Sequence, residues 1–196
     1  MSPVRLKNAI IVHGMPSQQE DRIAKLVGIK ASKFHWLGWL AKQLKKNGYE
    51  VWSPEMPKPY APDWNTWVRE AEKAKIGPDT LLVGHSCGGG FWLRYLSEHK
   101  ELKVGKVVLV APWIDVPKST APDFFDFQLD PNLVKRTQGL TIIYSDNDMK
   151  AIDLSVDKIR KEVPGINFKL MKGYKHFTIF GMKTSKFPEL LNECLD

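Results

Sequence analysis

Residues 81 to 96 constrain this chain more than any other stretch. Leu81, Leu82 and Val83 are a short apolar run of the kind that forms a buried strand. Gly84, Ser86 and Gly88 follow at the spacing G-x-S-x-G, and Phe91-Trp92-Leu93-Arg94-Tyr95-Leu96 reads as a helix. A strand, a sharp turn and a helix in direct succession push the turn residue into a strained conformation. Small residues two places before and after it keep side chains from colliding, and glycine meets that need most easily. The helix N-terminus then lies beneath the serine with free N–H groups facing any developing negative charge. This is the setting of a nucleophile elbow. The bare pattern arises by chance in about one chain in fifteen of this length, so its weight comes from the flanking elements. The plain alternative is a glycine-rich turn that permits close packing or holds a phosphate. A phosphate loop would carry G-x-x-x-x-G-K-[ST] or G-x-G-x-x-G, and neither occurs there.

The rest of the chain alternates strands with helices. Asn8 to Val12 reads as a first strand ending in His13-Gly14-Met15-Pro16; its continuous apolar run suits a parallel sheet covered on both faces. Residues 17 to 33 look polar and irregular. Phe34 to Lys46 is a helix with Trp36, Leu37, Leu40 and Leu44 on one stripe, stopped by Asn47-Gly48. Glu50 to Ser53 is a second strand, followed by a proline-rich loop. Asp63 is an N-cap for a helix from Trp64 to Ile76. After the elbow, a helix runs from Cys87 to about Glu98, and Lys106 to Ala111 is a fourth strand. Residues 112 to 138 form the longest connection, an aromatic excursion with short helical pieces. Leu140 to Tyr144 and Asn167 to Met171 are the fifth and sixth strands, with a helix from Asp153 to Glu162 between them. Residues 185 to 195 form a closing helix. With no repeat or linker, the expectation is one α/β domain over 1–196, mostly parallel, with right-handed crossovers.

Composition narrows the class further. The chain has 196 residues, 43% hydrophobic and 26% charged, an ordinary globular balance. No apolar run approaches the ~18 residues of a membrane span, and no apolar stretch of a secretory signal precedes the first strand. Cys87 and Cys194 are the two cysteines, without C-x-x-C, so neither disulfide framework nor zinc site is expected, and the cytoplasm is the default compartment. The net charge of +7 raises the question of nucleic acid. The lysines are scattered among acids and no nucleic-acid signature is present, so a solvated basic surface is the better reading.

Ligands of open α/β sheets bind at the carboxyl ends of the strands. His13, Ser86, Trp113, Asp148 and His176 all fall just beyond those ends. A serine hydroxyl becomes a competent nucleophile when a neighbouring base takes its proton, and histidine titrates in the right range. A carboxylate on the other ring nitrogen fixes the tautomer. The chain order Ser86, Asp148, His176 matches the Ser, acid, His order of α/β-hydrolases. Asp146 and Asp115 compete as the acid. A turn of a few residues beyond Tyr144 favours Asp148, with Asp146 bracing the turn on the Asp148 N–H. Two donors are needed to hold an oxyanion; the backbone N–H groups of Cys87 and Met15 are the candidates. Cys87 as a thiol nucleophile is the lesser reading, because it stands one residue past the elbow position. Trp113, and with it His13, is expected to line the substrate pocket. No metal motif is present, so neither metal nor cofactor is expected.

The chain resembles the small serine hydrolases of the α/β-hydrolase superfamily that include the retinoblastoma-binding serine hydrolase. The resemblance rests on Ile11-Val12-His13-Gly14, Trp36-Leu37-Gly38-Trp39, Pro54-Glu55-Met56-Pro57, Gly84-His85-Ser86-Cys87-Gly88, Ser145-Asp146-Asn147-Asp148 and His176-Phe177, in that order. Met149 departs from it, where proline is common. The resemblance implies strand order 2-1-3-4-5 plus an edge strand, no large lid, and Ser86, Asp148 and His176 as a triad. The expected activity is hydrolysis of small carboxylic esters, thioesters or amides, in the manner of a carboxylesterase. The partner would then be a small-molecule substrate, with no specific nucleic acid and no membrane. The alternative is a non-catalytic interaction module that retains the fold.

Overall fold

The computed structural model describes residues 7–196. Six strands form one sheet: Lys7–Val12 (β1), Tyr49–Trp52 (β2), Thr80–His85 (β3), Val107–Val110 (β4), Leu140–Ser145 (β5) and Asn167–Met171 (β6). The order is β2-β1-β3-β4-β5-β6 and every pairing is parallel. The order implied by the resemblance is therefore found, and the edge strand is β6. Ile10, Ile11, Leu82, Val83, Val108 and Leu109 are buried, as the continuous apolar runs required.

The helices are Gln18–Leu26 (α1), Leu37–Lys46 (α2), Trp64–Ala71 (α3), Cys87–Glu98 (α4), Lys150–Glu162 (α5), Ile179–Met182 (α6) and Pro188–Leu195 (α7). The chain moves one way from β1 to β2 and the other way from β2 onward. Right-handed connections therefore put α2 on one face and α3, α4 and α5 on the other. Helix α7 returns to pack on α2 and β4. The reversal falls between β1 and β3, the switch point where such sheets hold ligands.

Three expectations need correction. Residues 17 to 33 are not irregular: Ser17 starts α1 with a capping box, its hydroxyl accepting from the Glu20 N–H while the Glu20 carboxylate accepts from the Ser17 N–H. The S-x-x-E signature was legible, but Ile23 and Leu26 face solvent at 52% and 79% exposure. Ile23, Leu26 and Val27 nevertheless stand at helical spacing, so periodicity as well as the cap marks this helix. Helix α3 stops at Ala71, short of Ile76, and α5 begins at Lys150, three residues early. The long β4–β5 connection holds only two short 3-10 helices, Asp123–Phe125 and Leu133–Arg136. Phe124 is buried against Trp64, Trp67 and Phe91, which fastens this connection to α3 and α4.

Candidate active site

Strand β3 delivers Ser86 at φ 53° and ψ −119°, a conformation that a non-glycine residue holds only when its surroundings enforce it. The enforcement is visible. The Ser86 N–H donates to Val110 O at 2.9 Å, and the Ser86 carbonyl accepts from the N–H groups of Gly89, Gly90 and Trp113 at 2.9, 3.1 and 3.0 Å. A Cβ on Gly84 would lie 2.5 Å from Gly88 O, and one on Gly88 would lie 2.4 Å from Val12 O. These contacts give the physical reason for glycine on both sides of the serine. Gly90 has the same need, because a Cβ there would meet Trp113 O and the Phe125 ring.

His176 lies in the loop after β6. Its Nδ1 sits 2.9 Å from Asp148 Oδ1 and 3.2 Å from Oδ2. The Asp148 side chain is fully buried, while that of His176 is 20% exposed. A ring with Nδ1–H on the carboxylate leaves Nε2 as the acceptor. The Ser86 hydroxyl makes no hydrogen bond to that ring, a looseness common in unliganded sites. Proximity is nevertheless built in through the preceding residue. The His85 ring lies 5.0 Å from that of His176, and His85 Nε2 donates to the His176 carbonyl at 3.1 Å. The Trp36 indole N–H donates to the Phe177 carbonyl at 3.1 Å. Sequence reasoning missed both anchors, although Gly84-His85-Ser86 and Trp36 were quoted in the motifs.

The rival acids are otherwise engaged. Asp146 accepts from the Gly173 N–H at 2.8 Å rather than from Asp148, so it braces the next loop instead of its own turn. Ser145 and Asn147 continue the lacing by accepting from the N–H groups of Tyr174 and Lys175. Asp115 is buried and accepts from the N–H groups of Ser119, Thr120 and Ala121, which closes a turn.

The remaining expected residues divide. Met15 and Cys87 flank Ser86 from the β1 loop and the start of α4, and neither backbone N–H has an acceptor among the described residues. Gly14 lets the β1 loop come close: a Cβ there would lie 3.1 Å from the Ser86 Cβ. The Cys87 thiol is buried and its pKa is pushed well up by that burial, which disfavours a thiolate. His13 is not free to line a pocket. It is 2% exposed, Nδ1 donates to Gly14 O at 2.7 Å, and Nε2 accepts from the Met56 N–H at 3.0 Å. Burial holds its pKa below the usual histidine value, in keeping with the neutral ring this pairing needs. Trp113 is 9% exposed, its ring packs edge-on against Phe125, and its backbone N–H holds the Ser86 carbonyl.

Burial, with the neighbouring His176 second, also lowers His35 to about 4 and His85 well below its ordinary value. Among the described residues no group of His, Cys, Asp and Glu could hold a metal ion, and no helix is long and apolar enough to cross a membrane. A cleft lined by Lys7, Tyr49, Leu81 and Cys194 opens at the amino ends of the strands, the edge opposite Ser86.

The chain is 34% identical over 89 residues to the Bacillus subtilis protein YdeN, which is 43% of this chain and 46% of YdeN, so the alignment spans about half of that relative. The crystal structure of YdeN superposes with a TM-score of 0.75 at 20% identity, covering 95% of each chain. Est1E from Butyrivibrio proteoclasticus matches with a TM-score of 0.62 at 13% identity, over 100% of this chain and 91% of its own. These two structures share the fold. The sequence model of the family described as serine hydrolase matches residues 26–161, a span that includes Ser86 and Asp148. The chain therefore belongs to the serine hydrolase family.

Proposed function

We propose that the protein hydrolyses small carboxylic esters, thioesters or amides through an acyl-enzyme on Ser86. The observation that carries the reading is the His176 imidazole held by a fully buried Asp148 carboxylate, beside a serine strained into the elbow conformation. His176 Nε2 takes the Ser86 proton as Oγ attacks the substrate carbonyl carbon. The N–H groups of Cys87 and Met15 receive the resulting oxyanion. As the tetrahedral species collapses, the bond to the leaving group breaks, and the imidazolium returns its proton to that group. Water then attacks the acyl carbon as His176 takes its proton; the bond to Ser86 Oγ breaks, the imidazolium returns the proton to Oγ, and the acid leaves. Asp148 stabilises the imidazolium in both halves without itself taking the proton.

A fluorophosphonate probe tests this. It should modify Ser86 and no other residue, and Ser86→Ala should abolish the label and reduce ester turnover by about 10⁴-fold or more. An enzyme that stays unlabelled while folded would instead favour the interaction module. Label persisting in Ser86→Ala would move the nucleophile elsewhere.

A further inference from the structure

We propose that the active-site edge of the molecule docks on an anionic lipid surface, through residues 22–34 and 172–186. These two segments hold eight of the 29 Lys and Arg and none of the 22 Asp and Glu. The remainder of the chain has 21 cationic residues against 22 acidic ones, so the basic excess belongs to these two segments. All eight cations are exposed, and among the described residues only Lys25 is ion-paired, with Asp21. The acids that touch the segments are each hydrogen-bonded there: Glu20 closes the α1 cap, Asp21 pairs with Lys25, Glu55 accepts the N–H groups of Ala31 and Ser32, Asp146 accepts the Gly173 N–H, and Asp148 holds the His176 ring.

The same two segments carry seven of the twelve exposed large hydrophobic residues among those described, led by Phe180 at 83%, Leu26 at 79% and Val27 at 62%. The segments meet at His35. Its ring lies 4.1 Å from the Phe34 ring, and its Nδ1 accepts the Ile179 N–H at 3.1 Å. Both segments leave the carboxyl ends of strands, β1 and β6, so the patch borders Ser86 and His176.

Exposed aliphatic and Phe side chains among unpaired lysines are the composition of a surface that lies in a membrane interface. The apolar groups enter the acyl boundary while the lysines meet anionic headgroups. A two-fold dimer through this face would set the seven unpaired cations against their own copies, which argues against a second copy as the occupant. Nucleic acid would account for the lysines but leave Leu26 and Val27 in water. This reading reverses the expectation of no membrane contact, and it stands on the surface alone, independently of the catalytic reading.

The test is flotation of the full chain with vesicles of phosphatidylcholine, with and without phosphatidylglycerol. Binding is expected only to the anionic vesicles, weakening at high salt. The double variant Leu26→Ser, Phe180→Ser should bind them about tenfold or more weakly, and Lys30→Glu, Lys33→Glu, Lys183→Glu, Lys186→Glu should not bind. Circular dichroism confirms that each variant is folded, and Ser86→Ala should float like the unaltered chain, which separates docking from catalysis. No flotation with phosphatidylglycerol would overturn the proposal. So would flotation unaffected by the apolar double variant. Preferential binding of a DNA duplex that ignores the Leu26 and Phe180 changes would mark the patch as a nucleic-acid surface instead.

Discussion

Asp148 and Asp146 are two residues apart and do different work. Asp148 turns inward to the His176 ring, whereas Asp146 reaches across to the Gly173 N–H. Asp148→Asn keeps the shape but permits the wrong histidine tautomer, so kcat should fall by roughly 10³ to 10⁴ at neutral pH. Asp146→Asn should cost less than about tenfold, mainly through the loop. Steady-state kinetics on both variants decide, and reversed losses would make Asp146 the acid. His85 donates to the carbonyl of His176, and on the proposed reading this makes it a positioning residue. His85→Ala should lower kcat by roughly ten- to a hundredfold with little change in KM. His85→Gln, whose amide N–H can reach the same carbonyl, should recover part of that loss. Equal losses in Ala and Gln would show that the bond has no such role.

At the scale of elements, the C-terminus of α4 is completed from a distance. The carbonyls at a helix end lack intrahelical partners. Arg136 supplies them, donating to Leu96 O, His99 O and Leu102 O, and it pairs with Asp130 at 2.7 Å. Burial alone would raise the Asp130 pKa. The Arg136 guanidinium and the Asn132 N–H outweigh it and hold the carboxyl below its ordinary value. Asp130 is 7% exposed, so removing its partner strands a buried charge. Arg136→Met should destabilise the fold by about 3 kcal/mol or more and lower Tm by roughly 10 °C. Adding Asp130→Asn should restore part of it. A Tm within about 3 °C of the unaltered protein would mean that water replaces the guanidinium.

The whole molecule contains three histidines, His13, His35 and His85, whose pKa values all lie below 6.5 in the fold. Burial is the leading cause in each. A group with a depressed basic pKa stays neutral in the fold but charges in the unfolded chain, so the unfolded state binds more protons below pH 6.5. Stability should therefore be full above pH 6.5 and fall as the pH drops towards about 5, before most carboxylates titrate. Calorimetry should record a falling Tm and proton uptake on unfolding in this window. A flat Tm there would mean that these rings are protonated in the folded state.

Much of this was legible because it is local or periodic. The apolar runs of β1, β3 and β4 announced a parallel sheet covered on both faces, and Gly84, Ser86 and Gly88 announced the elbow. A steric demand across five residues needs no distant partner to be read. Helix α1 carried its own local signals, the Ser17 capping box and Ile23, Leu26 and Val27 at helical spacing, within a stretch whose many polar residues suggested a loop. The different placing of Asp146 and Asp148 was expected from the turn, but the Gly173 N–H as the partner of Asp146, the occupied ring of His13 and the anchoring of His176 by His85 and Trp36 could not be read. Each depends on hydrogen bonds between loops far apart in sequence, which exist only once the six strands have set their ends side by side. Spacing along the chain determined which residue types reach the carboxyl edge of the sheet. The tertiary structure alone decided which of them point at one another, because a side chain's partner is set by loop geometry that the neighbouring strands impose.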